Sequence, residues 1–137
     1  MQQEKNNVVM DTNIVVSAAI SSDGTPARIF ELFLEKSILN YTTDEIIDEI
    51  SEVIDRPLLG IDKDYKKFIL DNFKLLSVII KPTFDEDAVP DKDDNKFINC
   101  ALSAKADIIS GDSHLLKLGS YKGVKILSAK QFLDKVL

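Results

Sequence analysis

Apolar residues along the chain follow two alternating rhythms. Short β-branched runs give way to longer stretches in which apolar positions recur every three or four residues. Val8-Val9-Met10 is the first run and ends at Asp11; Ile14, Val15, Ala18 and Ala19 then mark one helical face, closed by the Ser21 to Gly24 turn. Thr25-Pro26 opens a second helix through Phe33, with Thr25 as the expected cap and proline in the first turn, where a missing N–H costs nothing. Ile38 to Tyr41 reads as a strand. Thr43 caps a helix to about Asp55, which Arg56-Pro57 stops because the residue before proline is pushed out of the helical region. Residues 62 to 76 carry a stripe of Tyr65, Phe68, Ile69, Phe73 and Leu76, and Val78 to Ile80 reads as the next strand. After an acidic loop from Pro82 to Asp93 come a helix over Asp94 to Lys105, a strand over Asp107 to Ser110, a short helix around Leu115, Leu116 and Leu118, and a strand over Lys125 to Leu127. Ser128 and Gln131 have capping-box spacing and start a final helix. This alternation predicts an α/β fold with a mainly parallel central sheet.

The composition narrows the setting. The chain has 137 residues, 45% hydrophobic and 29% charged, with no repeat or linker, which suits one globular domain over residues 1–137. Its single cysteine, Cys100, excludes an intramolecular disulfide and a cysteine-rich zinc site. No apolar run approaches the roughly 18 to 20 residues of a membrane span, and Met1 to Asn7 lacks an apolar signal core, so a cytoplasmic protein without membrane partners is expected. A formal charge of -6 counts against nucleic-acid binding through a broad basic surface. A local rim of Arg56, Lys63, Lys66, Lys67 and Lys74 beside a metal-filled acidic pocket remains compatible with that total.

Open parallel sheets bind ligands beyond the carboxyl ends of their strands, which directs attention to Asp11 and Asp112. Thr12 and Asn13 accompany the first, and Ser110 the second. The plain alternative for each is a helix N-cap. Helical phase adds two acids. In the helix after Thr43, Glu49 lies about 100° from the centre of the apolar stripe, nearer than the other acids. In the helix after the loop, Asp94 projects close to the middle of the face made by Phe97, Ile98, Ala101 and Leu102, whereas Asp93 and Asn95 point away. For Asp94 the alternative is again a cap. Four carboxylates gathered in one crevice would repel by roughly 4 kcal/mol for each pair about 4 Å apart, so protons or a divalent cation must neutralise them. Oxygen ligands with no histidine or thiol nearby favour Mg2+ or Mn2+, and phosphodiester hydrolysis is the chemistry one or two such ions support.

The string Val8 to Asn13, Glu49 after Thr43, the run Asp91 to Phe97, and Ile109-Ser110-Gly111-Asp112 together resemble the PIN domain over nearly the whole chain. The likeness is greatest to the branch usually described as toxins of toxin-antitoxin pairs. It implies a single PIN-like domain with helices on both faces of the sheet, and a metal-dependent ribonuclease. Matched position by position, Asp11, Glu49, Asp94 and Asp112 fall on the metal-binding and catalytic acids. Asn13 falls on a polar support residue, and Asp91 on an acid common in this branch; Thr12 and Ser110 are expected to support them. Asn95 stands where some relatives carry a further acid. Single-stranded RNA is the expected substrate, Glu49 is expected to orient the attacking water, and the resemblance brings an antitoxin and a homodimer as expected partners.

Other residues favour simpler readings over functional ones: His114 as a surface residue at a helix start rather than a group that polarises a phosphate or a water, Cys100 as packing, and Tyr65 as core with its flanking charges solvated rather than a ring that stacks on RNA. Two other functional classes stand beside hydrolysis. One is phosphoaspartate-type phosphotransfer, against which Asp11-Thr12-Asn13 lacks a second nearby aspartate. The other is a non-catalytic metal- or protein-binding module.

Overall fold

The computed structural model describes residues 6 to 137; the leader expectation placed on the first seven residues lies, for 1 to 5, outside the described residues. Five strands pair in parallel: β1 (Asn6–Met10), β2 (Ile38–Thr42), β3 (Val78–Ile79), β4 (Asp107–Ile109) and, as the last strand of the chain, β6 (Val124–Leu127). A sixth, β5 (Ser120–Tyr121), runs antiparallel to β6. The order across the sheet is β3-β2-β1-β4-β6-β5. The chain therefore starts in the middle, winds outward to one edge, then returns to build the other side of β1.

That reversal determines where the helices lie. Between β1 and β2 come α1 (Thr12–Ile20) and α2 (Thr25–Leu34); between β2 and β3 come α3 (Asp44–Ile54) and α4 (Lys63–Leu76). The return crossing carries α5 (Asn95–Ala104), followed after β4 by α6 (Ser113–Leu118) and after β6 by α7 (Ala129–Val136). Right-handed crossovers taken in opposite directions place α1 to α4 on one face and α5 on the other. Consistent with this, α5 lies across β1, β2 and β4. No helix among the described residues is long and apolar enough to cross a membrane.

Val8, Val9, Ile108 and Ile109 are fully buried in the central strands, as expected where helices cover both faces. Phe30 and Phe33 pack edge to face at 5.2 Å, and Phe73 stands 6.0 Å from Phe33, tying α2 to α4. Burying each such side chain contributes about 1.5 to 3 kcal/mol.

Several local expectations are corrected. The cap of α2 is Gly24, with Thr25 already in the first turn. On α4 only Ile69 and Phe73 are buried. Tyr65 is 38% and Phe68 45% exposed, and the two rings stack on each other at 6.1 Å, so Tyr65 is not core. β5 was not anticipated, since its two residues carry no alternation; it exists because Lys122 and Gly123 both take positive φ, the paired conformation that closes a tight hairpin. Asn95 does not point away: it is buried, and its Oδ1 accepts the backbone N–H groups of Ala88 at 2.8 Å and Val89 at 3.0 Å. Asn99 accepts from Glu86 N at 2.7 Å and Ser103 from Thr83 N at 2.9 Å. Spaced four residues apart on one side of α5, these three side chains fasten the loop before it along the helix.

Candidate metal centre

The register pairs Met10 with Ile109, so β1 and β4 end level and the chain leaves both at the point where the strand order reverses. The backbone N–H of Asp11 still donates to Ile109 O at 3.0 Å, and that of Ser110 to Leu127 O at 2.9 Å. Asp11 is 2% exposed. Its Oδ1 accepts from Ile14 N at 2.9 Å, while Oδ2 accepts from the Ser110 hydroxyl at 2.5 Å and from Gly111 N at 3.3 Å. The Ser110 oxygen in turn accepts from Asp112 N at 2.9 Å, so one hydroxyl joins the two strand-end acids. Burial is the main reason that Asp11 is raised from 3.8 to about 6; the three donors oppose the rise and the neighbouring Asp112 adds to it.

Asp112 caps α6 through Oδ1, which accepts from His114 N at 2.8 Å and Leu115 N at 3.1 Å. The capping alternative thus holds for Asp11 and Asp112, yet it consumes a single oxygen of Asp112. For Asp94 it fails. No N–H of α5 donates to the Asp94 side chain, and its Oδ2 is buried without a hydrogen-bond partner. Desolvation raises Asp94 to about 6, with Asp112, Asp91 and Asp93 adding repulsion and Lys96 offsetting part of it. A bare carboxylate oxygen away from water is costly unless a cation meets it.

Asp94, Asp112 and His114 each present a ligand atom, and the three atoms lie within 4.8 Å of one another. His114 is at the start of α6 and largely exposed, as read from sequence, but its Nδ1 is 3.8 Å from Asp112 Oδ1. The expectation that no histidine accompanies the acids is therefore overturned. Orphaned oxygen, second carboxylate and imidazole together fit a divalent cation held by N and O donors.

Glu49 is half-buried on α3, and both of its oxygens are engaged. Oε1 accepts from the Thr12 hydroxyl at 2.5 Å, and Oε2 is ion-paired with Lys96. The Lys96 side chain is 6% exposed and also reaches Asp93 at 3.1 Å. Burial by itself would lower the Lys96 ammonium; its bonds to Glu49 and Asp93 outweigh that and raise it. Asp91 caps the 3-10 turn (Lys92–Asp94), its Oδ1 accepting from Asp93 N at 3.0 Å, which brings Asp94 to the crevice. Asn13 is exposed on the first turn of α1, and a Cβ on Gly111 would stand 3.5 Å from its own. Arg56 lines the groove that holds Glu49 and Lys96, while Lys66 and Lys67 on α4 are paired with Asp55 and Asp71. Cys100 is fully buried and its thiol pushed up to about 12, which leaves it inert packing.

A PIN-domain family model matches residues 7–114, which takes in both strand ends, α3 and the start of α5. The chain belongs to the PIN-domain family. A similar protein, from Methanocaldococcus jannaschii and named only as uncharacterized protein MJ1680, is 42% identical over 122 residues, covering 86% of this chain and 78% of that one. The PIN domain supplies a nuclease-type fold, and PIN domains typically bind divalent metal ions, in keeping with the acidic crevice described here.

Sequence reasoning did not single out Lys96 in this PIN domain. Helical phase puts it opposite the apolar face of α5, where a lysine is normally solvated. It is buried because α5 is enclosed: Asn95 through Ala101 are all buried, with the sheet on one side, the loop over residues 81–90 fastened along another, and α3 reaching it where Glu49 meets Lys96.

Proposed function

We propose that this PIN domain is a metal-dependent endoribonuclease that hydrolyses phosphodiester bonds of single-stranded RNA, with Mn2+ or Mg2+ bound through Asp94 and Asp112. The observation that carries the reading is the carboxylate of Asp94, which has a buried, unpartnered Oδ2 and lies beside a second carboxylate and an imidazole. His114 adds a nitrogen donor, which tilts the preference toward Mn2+. When bound, the ion would lower the pKa of a water and stabilise charge on the scissile phosphate.

The chain's own residues do the rest. Asp11, fixed by Ile14, Ser110 and Gly111, sets the position of Asp112 through the shared Ser110 hydroxyl. Because Asp11 is buried with both oxygens occupied, it offers no nucleophile to a phosphodonor, which favours hydrolysis over phosphoaspartate chemistry. A flexible single strand enters a narrow acidic crevice more readily than a duplex. The same crevice suits an inhibitor carrying a lysine or arginine, as the toxin resemblance implies; co-purification with the product of a neighbouring small gene would support that role.

The deciding assay is cleavage of a labelled single-stranded RNA with Mn2+ or Mg2+, with EDTA, and with Asp94→Asn. Cleavage that needs the metal and is lost in the variant is expected. Cleavage indifferent to both chelation and substitution would end the proposal.

A further inference from the structure

We propose that Lys96 occupies the role of a second divalent cation in the crevice, so that the protein takes a single ion at Asp94 and Asp112 while the lysine ammonium neutralises Glu49. This rests on the metal-dependent reading above. The acids divide by what already satisfies them. Both oxygens of Glu49 are taken, one by the Thr12 hydroxyl and one by Lys96. Both oxygens of Asp11 accept hydrogen bonds. Of these acids only Asp94 presents a buried oxygen with no partner, and the described residues whose ligand atoms gather with it within 4.8 Å are Asp112 and His114, not Glu49.

Lys96 is suited to a permanent role. A surface lysine trades its partners for water, but this one is nearly sealed from solvent and is held between Glu49 on α3 and Asp93 in the 3-10 turn before α5. Losing Glu49 would leave the ammonium in a poorly hydrated place with only the exposed Asp93 to balance it, a large penalty for a buried charge. The lysine also links α3, which carries Glu49, to the 3-10 turn that carries Asp93 and Asp94. It acts as a positioning residue, setting the number of ions through Glu49. Without it, Glu49 and Asp93 would face each other as two carboxylates with no counter-charge, an arrangement that a cation can bridge.

The test counts bound Mn2+ on the whole chain, by calorimetry and by the loss of the free-ion electron paramagnetic resonance signal. The wild type is expected to bind one ion, Lys96→Met a second, and Lys96→Met with Glu49→Gln one again. Two ions on the wild type, or a single ion on a folded Lys96→Met, would overturn the assignment. Should circular dichroism show that Lys96→Met does not fold, Glu49→Gln decides: an unchanged count and affinity supports the proposal, and binding weakened by about tenfold or more overturns it by making Glu49 a ligand. Absence of Mn2+ binding to the wild type would remove the metal-dependent reading itself, whereas two ions with intact RNA cleavage would remove only the role given to Lys96.

Discussion

Asp94 and Asp11 differ in how they tolerate burial. Asp11 is surrounded by donors, whereas Asp94 holds a bare oxygen among like charges. Asp94→Asn removes that repulsion, so without divalent ion the variant should melt higher, by about 3 to 5 °C for each 1 kcal/mol relieved. The same variant should lose Mn2+ binding, and scanning calorimetry with and without the ion would display both effects. Asp11 predicts a pH effect of definite sign. Its carboxyl is raised from 3.8 to about 6 by burial, so the folded state holds the proton more tightly than the unfolded chain does. Its contribution to stability is greatest below about 4 and falls by about 3 kcal/mol as pH climbs to 6 and above. Asp94 acts in the same direction. Urea melts at pH 4.5 and pH 7 without metal should show a smaller pH-dependent loss in Asp11→Asn than in the wild type, and saturating Mn2+ should reduce the loss in the wild type.

At the scale of elements, α5 holds most of what sequence could and could not disclose. Asp94 was legible because phase on a single apolar face put it against the sheet. Lys96 and Asn95 were not, since that argument assumes one covered face and α5 is covered on nearly every side. His114 was visible as a helix-start residue, but its approach to Asp112 depends on the turn that begins α6. Strand ends, by contrast, follow from local apolar runs and turn residues, and Asp11 and Asp112 were found that way. The fastening of the 81–90 loop makes its own prediction: Asn95→Ala leaves the N–H groups of Ala88 and Val89 without their acceptor and should cost about 2 to 3 kcal/mol in a denaturant titration. Ser128 and Gln131 form the full capping box at α7, so Ser128→Ala should cost about 1 kcal/mol while leaving Mn2+ affinity unchanged.

For the whole molecule, charge and topology converge on the reversal point between β1 and β4. The net charge of -6 is no obstacle to RNA once acids are concentrated where a cation neutralises them. Binding that ion only in the folded state links it to global stability: at a concentration about 100 times Kd the gain is about 2.7 kcal/mol, readable as a rise in Tm that chelation reverses.

Because β1 stands between β2 and β4, the earliest described strand stays half-unpaired until the return crossing arrives. A ribosome that has delivered only the first three strands has made neither Ser110 to grip Asp11 nor Asp112 to face Asp94. The crevice is thus completed only after the return crossing, so a growing chain would lack the proposed nuclease activity until its last third has been made.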